Sequence, residues 1–378
     1  MFIIRSRRTL ALAFVTLFCV IYLIDSQTEV AVLDDTSLPV GMEKPKPKMS
    51  YEVFVKQAAA IDPLYPIGIG MASLPNVKDK IPRYLKYRED MLTPVVNQSE
   101  CASCWAISVC HMIADRISLI TGGKIKRPLS HQELVSCFDV RGDLGCTQGG
   151  SPEKCYRYIA ENGIALASDY PYVQTDTTKV APCDAVKLRG KRTYIQRGSF
   201  KSLCEDPYKY EEGSAKYKEV VKQNMENMRT ELYLNGPIVI TILCYANLYN
   251  FSGLQIYTHT EGEYIGGHAA LCVGFADEVN GKEEGFDGKY YVIKNSWSSH
   301  WPLKSPSSKG YLYIRAGENV AGIESRASTC QICITDEIRS NMVGSLDESR
   351  YVSYSDYVND PQRQMYITKA TRLRAMFK

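Results

Sequence analysis

The sequence predicts an α+β protein of two lobes with a cleft between them. In the first half of the chain, apolar residues from Trp105 recur at the spacing of one helix face until TGG, residues 121–123, ends the pattern. In the second half, β-rich runs such as PIVITILCYA and KYYVIKNSW are bounded by Gly, Asn and Pro. A helical half followed by a sheet-forming half favours two packed parts, and the groove between such parts is a frequent place for a site.

The composition indicates a folded chain without a nucleic-acid surface. Of 378 residues, 45% are hydrophobic and 23% are charged, which allows one large core or two moderate ones. The 45 basic and 42 acidic side chains leave a formal net charge of +3. Nucleic-acid-binding proteins usually carry a clustered basic surface, so we expect no nucleic-acid partner.

The N-terminus has the pattern of a membrane-targeting segment. Residues 1–8 carry three arginines, and residues 9–24 contain no charged side chain. Small residues at the spacing that signal cleavage requires are absent after this run. We therefore predict a cytoplasmic basic segment at 1–8 and a signal-anchor helix at 9–25, with the rest of the chain lumenal or extracellular. The alternative is a cleaved signal and a secreted or lysosomal protein.

The regions next to the body of the chain are low in apolar periodicity. GMEKPKPKMS, residues 41–50, indicates a linker, because alternating Pro and Lys can neither continue a helix nor pair in a central strand. The stretch from residue 334 is rich in Ser, Asp, Arg and Tyr and has no sustained apolar period. We predict that residues 334–378 form a flexible tail.

One short stretch, NQSECASCWAIS at residues 97–108, places two thiols at the predicted start of the helix. A cysteine at a helix N-terminus lies at the positive end of the macrodipole and beside free backbone N–H groups, and both stabilise a thiolate. Cys104, directly before Trp105, takes this position. Cys101 lies one turn earlier, where it could bridge to another loop. A thiolate nucleophile also needs a general base.

The histidines leave few choices for that base. The chain has five of them: His111, His131, His259, His268 and His300. The first two lie on or next to helices from which they could not easily face the thiol. His268 stands at the entry of the apolar run GGHAALCVGF, and Asn295 ends the run VIKNSW, where it could orient the imidazole. Cys104, His268 and Asn295 then supply the three roles of a thiol acyl-transfer site.

These segments carry a resemblance to a known family. TPVVNQSECASCWAIS resembles the active-site segment of the papain family of cysteine proteases, and GGHAALCVGF and YYVIKNSW resemble its histidine and asparagine segments. IPRYLKYRED, LSHQELVSC and ENGIALASDYPY resemble further segments in the same order, from about residue 81 to 328. NGPIVITI, GGHA and AGIES are most similar to the cathepsin B branch. The resemblance implies a papain-like fold with a helical left lobe, a β-barrel-like right lobe and a catalytic cleft between them.

The resemblance also implies roles for single residues. Cys104 would be the nucleophile, paired as an ion pair with His268, while Asn295 orients the ring. Trp297 would shield this pair from water. Gln98 would donate its side-chain amide to an oxyanion hole together with the backbone N–H of Cys104.

Departures from the family pattern bear on substrate binding. Ala102 stands where the family has glycine, and CTQGG replaces CNGG, which displaces the substrate-binding glycines Gly149 and Gly150 by one residue. Arg326 follows AGIES where cathepsin B has an acidic residue, so we expect an acidic or small side chain, or a closed pocket, at the second subsite. No histidine lies between His131 and His259. The paired histidines with which cathepsin B holds a substrate carboxylate are therefore absent, and we predict an endopeptidase.

The resemblance suggests partners for some of the thirteen cysteines. It implies a Cys101–Cys146 disulfide, and it assigns Cys183 either to Cys137 or to Cys204. We predict that a further set of cysteines on apolar faces consists of buried free thiols: Cys110, Cys155, Cys244 and Cys272. Two glycosylation sequons are present, at Asn97 and Asn250. Only Asn250 is a usable candidate, because a glycan on Asn97 would crowd the catalytic loop.

The implied organisation is a linker and short propeptide at 26–80 and a protease domain at 81–333. The predicted function is a cysteine endopeptidase, made as a zymogen, that forms an acyl-enzyme. Its partners would be protein or peptide substrates, its own propeptide as inhibitor, and the lipid bilayer through residues 9–25. We expect a monomer without a cofactor. The two Cys-x-x-Cys pairs lie too far apart for a usual zinc site, so we expect no metal. The alternative is a catalytically inactive, membrane-anchored protein that keeps the papain fold for binding or structure.

Overall fold

The computed structural model describes residues 71–138, 146, 149–173, 180–253, 255–277, 288–302 and 309–343. The predicted anchor at 9–25 and most of the predicted linker and propeptide lie outside this part of the chain. Within it, none of the helices combines the length and the apolar character needed to cross a bilayer.

One long helix, which the sequence predicted, packs between the long strand that carries His268 and the two helices that follow it in the chain. This helix, α1, is buried on all sides from residue 105 to 119, as expected of a helix enclosed by the rest of a domain. Ser130 caps the next helix by accepting a hydrogen bond from the N–H of Glu133, as the segment LSHQEL indicates. The α-helices are α1 (Cys104–Ile120), α2 (His131–Cys137), α3 (Pro152–Asn162), α4 (Ala215–Asn235), α5 (Ala246–Tyr249) and α6 (Asp336–Asn341).

The second half of the chain supplies most of an antiparallel sheet. The strands are β1 (Tyr84–Lys86), β2 (Ile164–Ala165), β3 (Arg192–Thr193), β4 (Lys201–Ser202), β5 (Ile238–Tyr245), β6 (Tyr264–Asp277), β7 (Lys289–Lys294), β8 (Tyr311–Arg315) and β9 (Ala327–Thr329). The main sheet has the order β4-β9-β5-β6-β7-β8, with β1 also paired to β6, and β2 and β3 form a separate pair. Every one of these pairings is antiparallel. This mixture of helices and an antiparallel sheet is the predicted α+β class.

The register of the sheet fixes the residues predicted to be catalytic. Ile242 of β5 lies opposite His268 of β6, so His268 occupies the middle of the sheet rather than a loop. Leu271 of β6 lies opposite Lys294, the last residue of β7. Asn295 therefore leaves β7 next to the strand that carries His268.

Two disulfides tie the loops around α1 and α2. Cys101 is bonded to Cys146, as the family resemblance implied, and Cys137 is bonded to Cys183. The alternative partner of Cys183, Cys204, is a buried free thiol. The four cysteines predicted to be buried free thiols are so: Cys110, Cys155, Cys244 and Cys272.

The chain after residue 333 differs from the predicted flexible tail. Thr335 caps α6, and Ile338 is buried against the body of the protein. Glu337 forms ion pairs with Arg127 and Lys191. The helix has a single buried apolar residue, and one residue cannot give an apolar period. The sequence pattern therefore did not reveal the helix. Residues 344–378 of the predicted tail lie outside the described part.

Candidate active site

Cys104 is the first residue of α1, and its half-buried thiol lies against the sheet. The preceding residue, Ser103, is the N-cap, but its side chain makes no capping hydrogen bond. Burial raises the pKa of the Cys104 thiol, while the backbone N–H groups of Ala269, Trp105 and Cys104 itself oppose this shift by stabilising the thiolate. Since Ala269 follows His268 directly, helix α1 and strand β6 meet at the predicted nucleophile and base.

The loop before Cys104 packs against the segment that contains Cys146, Gly149 and Gly150. The N–H of Ala102 donates to the carbonyl oxygen of Cys146 at 2.9 Å. Gly150 packs on the indole of Trp105 so tightly that a Cβ at this position would lie 2.6 Å from Trp105 Cδ2. Gly149 has φ +72° and lies over Ala102. Both predicted substrate-binding glycines therefore border the segment that carries Cys104.

His268 and Asn295 form one hydrogen-bonded pair. Nε2 of His268 donates to Oδ1 of Asn295 at 2.7 Å. The same Oδ1 accepts the backbone N–H of Ser296 at 2.8 Å, which fixes the orientation of the amide and identifies its oxygen. The proton of the neutral imidazole then lies on Nε2, and Nδ1 is the nitrogen that can accept a proton.

Trp297 covers this pair. Its ring centroid lies 4.6 Å from that of His268, and the ring of Tyr249 stacks on the indole at 5.0 Å with an interplanar angle of 11°. Trp301 packs edge-on at 4.9 Å. As a result, His268 and Trp297 are each only 5% exposed. Few water molecules can reach the His268–Asn295 hydrogen bond in this arrangement.

Burial also decides which charge states are favoured. Burial lowers the pKa of His268 to about 4, and the hydrogen bond to Asn295 only partly opposes this. The pKa of the Cys104 thiol moves in the opposite direction. Each group alone is therefore driven towards its neutral form. A thiolate–imidazolium pair requires that the attraction between the two charges offset the cost of burying both.

The side-chain amide of Gln98 is fixed at both of its atoms. Oε1 accepts from the hydroxyl of Ser296 at 2.7 Å, and Nε2 donates one of its two hydrogens to the carbonyl oxygen of Cys101 at 3.0 Å. The carbonyl oxygen of Gln98 accepts from the hydroxyl of Tyr172 at 2.7 Å. One hydrogen on Nε2 remains for a further acceptor.

The backbone around Gln98 pairs with the segment that follows β7. The N–H of Gln98 donates to the carbonyl oxygen of Ser296 at 2.9 Å, and the N–H of Ser298 donates to that of Val96 at 3.1 Å. The segment 295–298 thus contacts the imidazole on one side and the Gln98 loop on the other.

A buried ion pair joins the far end of this arrangement to α1. Nζ of Lys294 lies 2.7 Å from Oδ2 of Asp115, and both side chains are 0% exposed. Lys294 also donates to the carbonyl oxygen and the hydroxyl of Thr93, at 2.8 and 3.0 Å. Because Lys294 precedes Asn295, this network ties the strand that carries Asn295 to the helix that carries Cys104.

The other predicted site residues lie further from this group. Arg326 is half-buried, and its carbonyl oxygen accepts from the N–H of Thr241, which in turn lies opposite Ala269. At the usual spacing of neighbouring strands, the backbone of Arg326 lies about 10 Å from Ala269. Asn250 is exposed at the C-terminal end of α5, so its side chain is accessible to modification.

The sequence patterns did not single out three residues of this arrangement: Ser296, Lys294 and Tyr172. Ser296 and Lys294 flank Asn295, so a close look at each side chain in VIKNSW could have found them. Tyr172 lies 74 residues from Gln98 along the chain, and no local signal connects the two.

Comparisons with known proteins agree with this fold and give its family. A model of the papain family cysteine proteases matches residues 81–331. A "Gut-specific cysteine proteinase" of Caenorhabditis elegans is 28% identical over 255 residues, which cover 68% of this chain and 73% of that protein. "Cathepsin B-like cysteine proteinase 3" of the same organism is 29% identical over 241 residues, 60% of this chain and 58% of that protein.

A solved structure supports the fold. ProCathepsin B S9 from Trypanosoma congolense superposes with a TM-score of 0.54 at 23% identity, over 70% of this chain and 83% of that one. The family model covers about two thirds of the chain and contains every residue of the Cys104, His268 and Asn295 arrangement. The protein is therefore a cysteine peptidase and belongs to the papain family of cysteine proteases.

Proposed function

We propose that this peptidase cleaves internal peptide bonds through Cys104 as nucleophile and His268 as acid and base. One juxtaposition supports this above all. The Cys104 sulfur lies at the backbone N–H of Ala269, directly after His268, and the His268 ring is fixed by Asn295. A thiol at a helix N-terminus beside an oriented imidazole is the arrangement that activates a sulfur nucleophile.

Acylation would proceed in two stages. In the resting pair, Cys104 is a thiolate and His268 is an imidazolium. The thiolate sulfur attacks the scissile carbonyl carbon. The carbonyl oxygen becomes an oxyanion, stabilised by the free hydrogen on Gln98 Nε2 and the backbone N–H of Cys104. When the C–N bond breaks, His268 gives its proton to the leaving amine, and a thioester remains on Cys104.

In deacylation, His268 acts first as a base, whereas in acylation it acts as an acid. Neutral His268 accepts a proton from water through Nδ1, while Asn295 Oδ1 continues to hold Nε2–H. The resulting hydroxide attacks the thioester carbonyl, the C–S bond breaks and the carboxylic acid leaves. The thiolate of Cys104 and the imidazolium of His268 then restore the resting pair. Trp297 excludes competing water from the hydrogen bond between the two side chains.

Substrate choice would follow from the departures noted in the sequence. We propose that Gly149 and Gly150 offer backbone groups to an extended peptide and that Arg326 favours an acidic or small side chain at the second residue before the cut. The absence of a histidine between His131 and His259 supports cleavage within a chain. A library of blocked peptides that reports an Arg preference at that second residue would contradict the role of Arg326.

The domain organisation is part of the same proposal. Residues 26–80 would form the linker and short inhibitory propeptide, 81–333 the protease domain and 334–378 the tail. Residues 9–25 would keep the catalytic domain on the lumenal or extracellular face of a membrane. The solved structure that superposes on this chain, procathepsin B S9, is a proform, and this similarity of fold supports a zymogen.

Labelling by an epoxide inhibitor tests the catalytic assignment. We expect one covalent adduct per chain, on Cys104, together with loss of peptide hydrolysis. Cys104→Ala should abolish both, whereas Cys333→Ala removes another half-buried free thiol and should leave both unchanged. Hydrolysis that survives Cys104→Ala would refute the assignment, and a wild-type chain processed near residue 81 that neither labels nor hydrolyses would favour the inactive binding protein.

A further inference from the structure

Tyr172 contacts both ends of the loop between Gln98 and Ser103. It lies in the segment that follows α3 and β2, and its hydroxyl donates to the carbonyl oxygen of Gln98 at 2.7 Å. The Ser103 hydroxyl lies 3.1 Å from the same oxygen of Tyr172. Because the single hydrogen of Tyr172 goes to Gln98, Ser103 must be the donor in the second bond.

The two residues that this hydroxyl joins hold the two proposed oxyanion donors. Gln98 carries the side-chain donor, and Ser103 precedes Cys104, whose backbone N–H is the other donor. The loop between them includes Ser99, a non-glycine residue at φ +55°. A backbone in that region persists only when its surroundings hold it. The Tyr172 hydroxyl closes the loop by fixing one end relative to the other.

Tyr172 is itself held by α2. Its ring centroid lies 4.4 Å from that of His131, which is buried. The N–H of the next residue, Val173, donates to Oε1 of Gln132 at 2.9 Å. Burial raises the pKa of Tyr172 to about 12, so its hydroxyl remains a neutral donor over the range in which a peptidase works. Its position is therefore set independently of the catalytic groups.

We propose that Tyr172 is a positioning residue for the oxyanion hole, acting through the backbone of Gln98 and Ser103. This inference rests on the function proposed above. Without the hydroxyl, the Gln98 carbonyl loses its partner and the loop can shift. The separation between the two oxyanion donors then loses one of its constraints. Steps that build an oxyanion should become slower, whereas a thiol reaction without one should not.

The test compares two reactions of the same thiol. Hydrolysis of a peptide amide passes through an oxyanion, and alkylation of Cys104 by iodoacetamide, a displacement at saturated carbon, does not. In Tyr172→Phe we expect kcat/KM for the amide to fall roughly tenfold through kcat, less than the loss of about 10²- to 10³-fold typical for removal of an oxyanion donor itself. The alkylation rate should change less than twofold. Both rates are referred to the concentration of Cys104 that the epoxide inhibitor labels, so a misfolded fraction of the variant does not enter the ratio.

A neighbouring tyrosine provides the matched control. Tyr170 lies two residues earlier, and its hydroxyl accepts from the N–H of Asp184 at 3.0 Å and contacts the carbonyl of Pro182, away from the Gln98 loop. Tyr170→Phe should leave the ratio of hydrolysis to alkylation at the wild-type value. An unchanged ratio in Tyr172→Phe, or an equal fall in Tyr170→Phe, overturns the role of Tyr172. Hydrolysis that persists in Cys104→Ala instead refutes the proposed function itself.

Discussion

At the scale of single residues, the candidate site depends on side-chain amides that are each held by two partners. Oδ1 of Asn295 accepts from His268 and from the backbone of Ser296. The amide of Gln98 is held at its oxygen by Ser296 and at its nitrogen by Cys101. An amide with a single partner could rotate by half a turn, whereas these cannot without losing a second bond. The geometry of the candidate site is therefore a property of the neighbours as much as of the candidate catalytic residues.

Gly150 provides a residue-scale prediction. In Gly150→Ala the new Cβ would lie 2.6 Å from Trp105, so the indole or the glycine segment must move. We expect a loss of about 1–3 kcal/mol in the free energy of unfolding, as in other overpacked sites. Because Trp105 follows Cys104, kcat should fall by up to about 10²-fold, the order found for a displacement of about 1 Å near reacting groups.

Gly198→Ala is the control for that variant. Gly198 has φ +70°, but a Cβ at this position would have no atom within 4 Å, so the substitution strains the backbone without a clash. It should cost about 1 kcal/mol and leave kcat unchanged. Urea unfolding and peptide hydrolysis measure both effects, and equal kcat values in the two alanine variants would contradict the steric explanation.

A buried carboxyl gives a prediction about pH. Glu324 is 0% exposed, and burial raises its pKa from 4.5 to about 7, although hydrogen bonds from the backbone N–H groups around it, that of Gly317 first, oppose the shift. Folding therefore takes up a proton between these two pH values. The stability that the protonated Glu324 carboxyl contributes is fully present below pH 4.5 and is lost as the pH rises through about 7.

Glu324→Gln removes this titration. The free energy of unfolding of the wild type should fall relative to that of the variant between pH 4.5 and 7, by up to about 3 kcal/mol, and the difference should be constant at higher pH. Urea unfolding at a series of pH values measures it. Since His111 and His131 titrate in both proteins, their contributions cancel in the difference. Parallel curves across this range would show that the carboxyl stays ionised in the folded state.

At the scale of elements, the Lys294–Asp115 pair joins helix α1, which begins at Cys104, to strand β7, which ends just before Asn295. Both side chains are fully buried, and the lysine has three acceptors around it. Burial lowers the pKa of Lys294, and the carboxylate of Asp115 opposes this shift. A buried charge is tolerated here because its partners are complete. The pair specifies how α1 and β7 lie against each other.

Asp115→Asn tests this join. It leaves the ammonium of Lys294 buried without a counter-charge, so we expect a loss of about 3–5 kcal/mol in the free energy of unfolding. The exposed pair Arg157–Glu161 on α3, with side chains 49% and 51% exposed, is the control. Glu161→Gln should change stability by no more than about 0.5 kcal/mol. Similar losses in both variants, measured by urea unfolding, would argue against a special role of the buried pair.

At the scale of the whole molecule, the segment before the protease domain adds to the edge of the main sheet. The N–H of Ala72 donates to the carbonyl oxygen of Ser202, the last residue of β4, at 2.8 Å. If residues 26–80 are an inhibitory propeptide, its last part is thus fastened to the domain that it controls. Proteolysis near residue 81 would release this contact.

N-terminal sequencing of the protein isolated from its source tests this organisation. We expect the active form to begin near Ile81 and the longer form to have much lower turnover, because the uncut propeptide would occupy the cleft. The longer form also reports whether residues 9–25 are retained. A fully active chain that begins before residue 71 would contradict the zymogen.

Much of the fold could be predicted because the relevant signals are local. The apolar spacing from Trp105 gave α1 to within one residue, and β-rich runs bounded by Gly, Asn and Pro gave β5 to β8. The candidates Cys104, His268 and Asn295 followed from the chemistry of a few short segments. Helix α6 was missed, since its stability comes from a single buried isoleucine and ion pairs to distant residues.

The sequence by itself determined the fold class, the central helix and the identities of the candidate catalytic residues, because periodicity and residue chemistry are properties of neighbouring positions. Only the tertiary structure decided the partner of Cys183, the packing of Gly150 on Trp105 and the bridge from Tyr172 to Gln98 and Ser103. Each of these is a distance between residues that lie far apart along the chain. Such distances are set when helices and strands pack, and no single segment contains them.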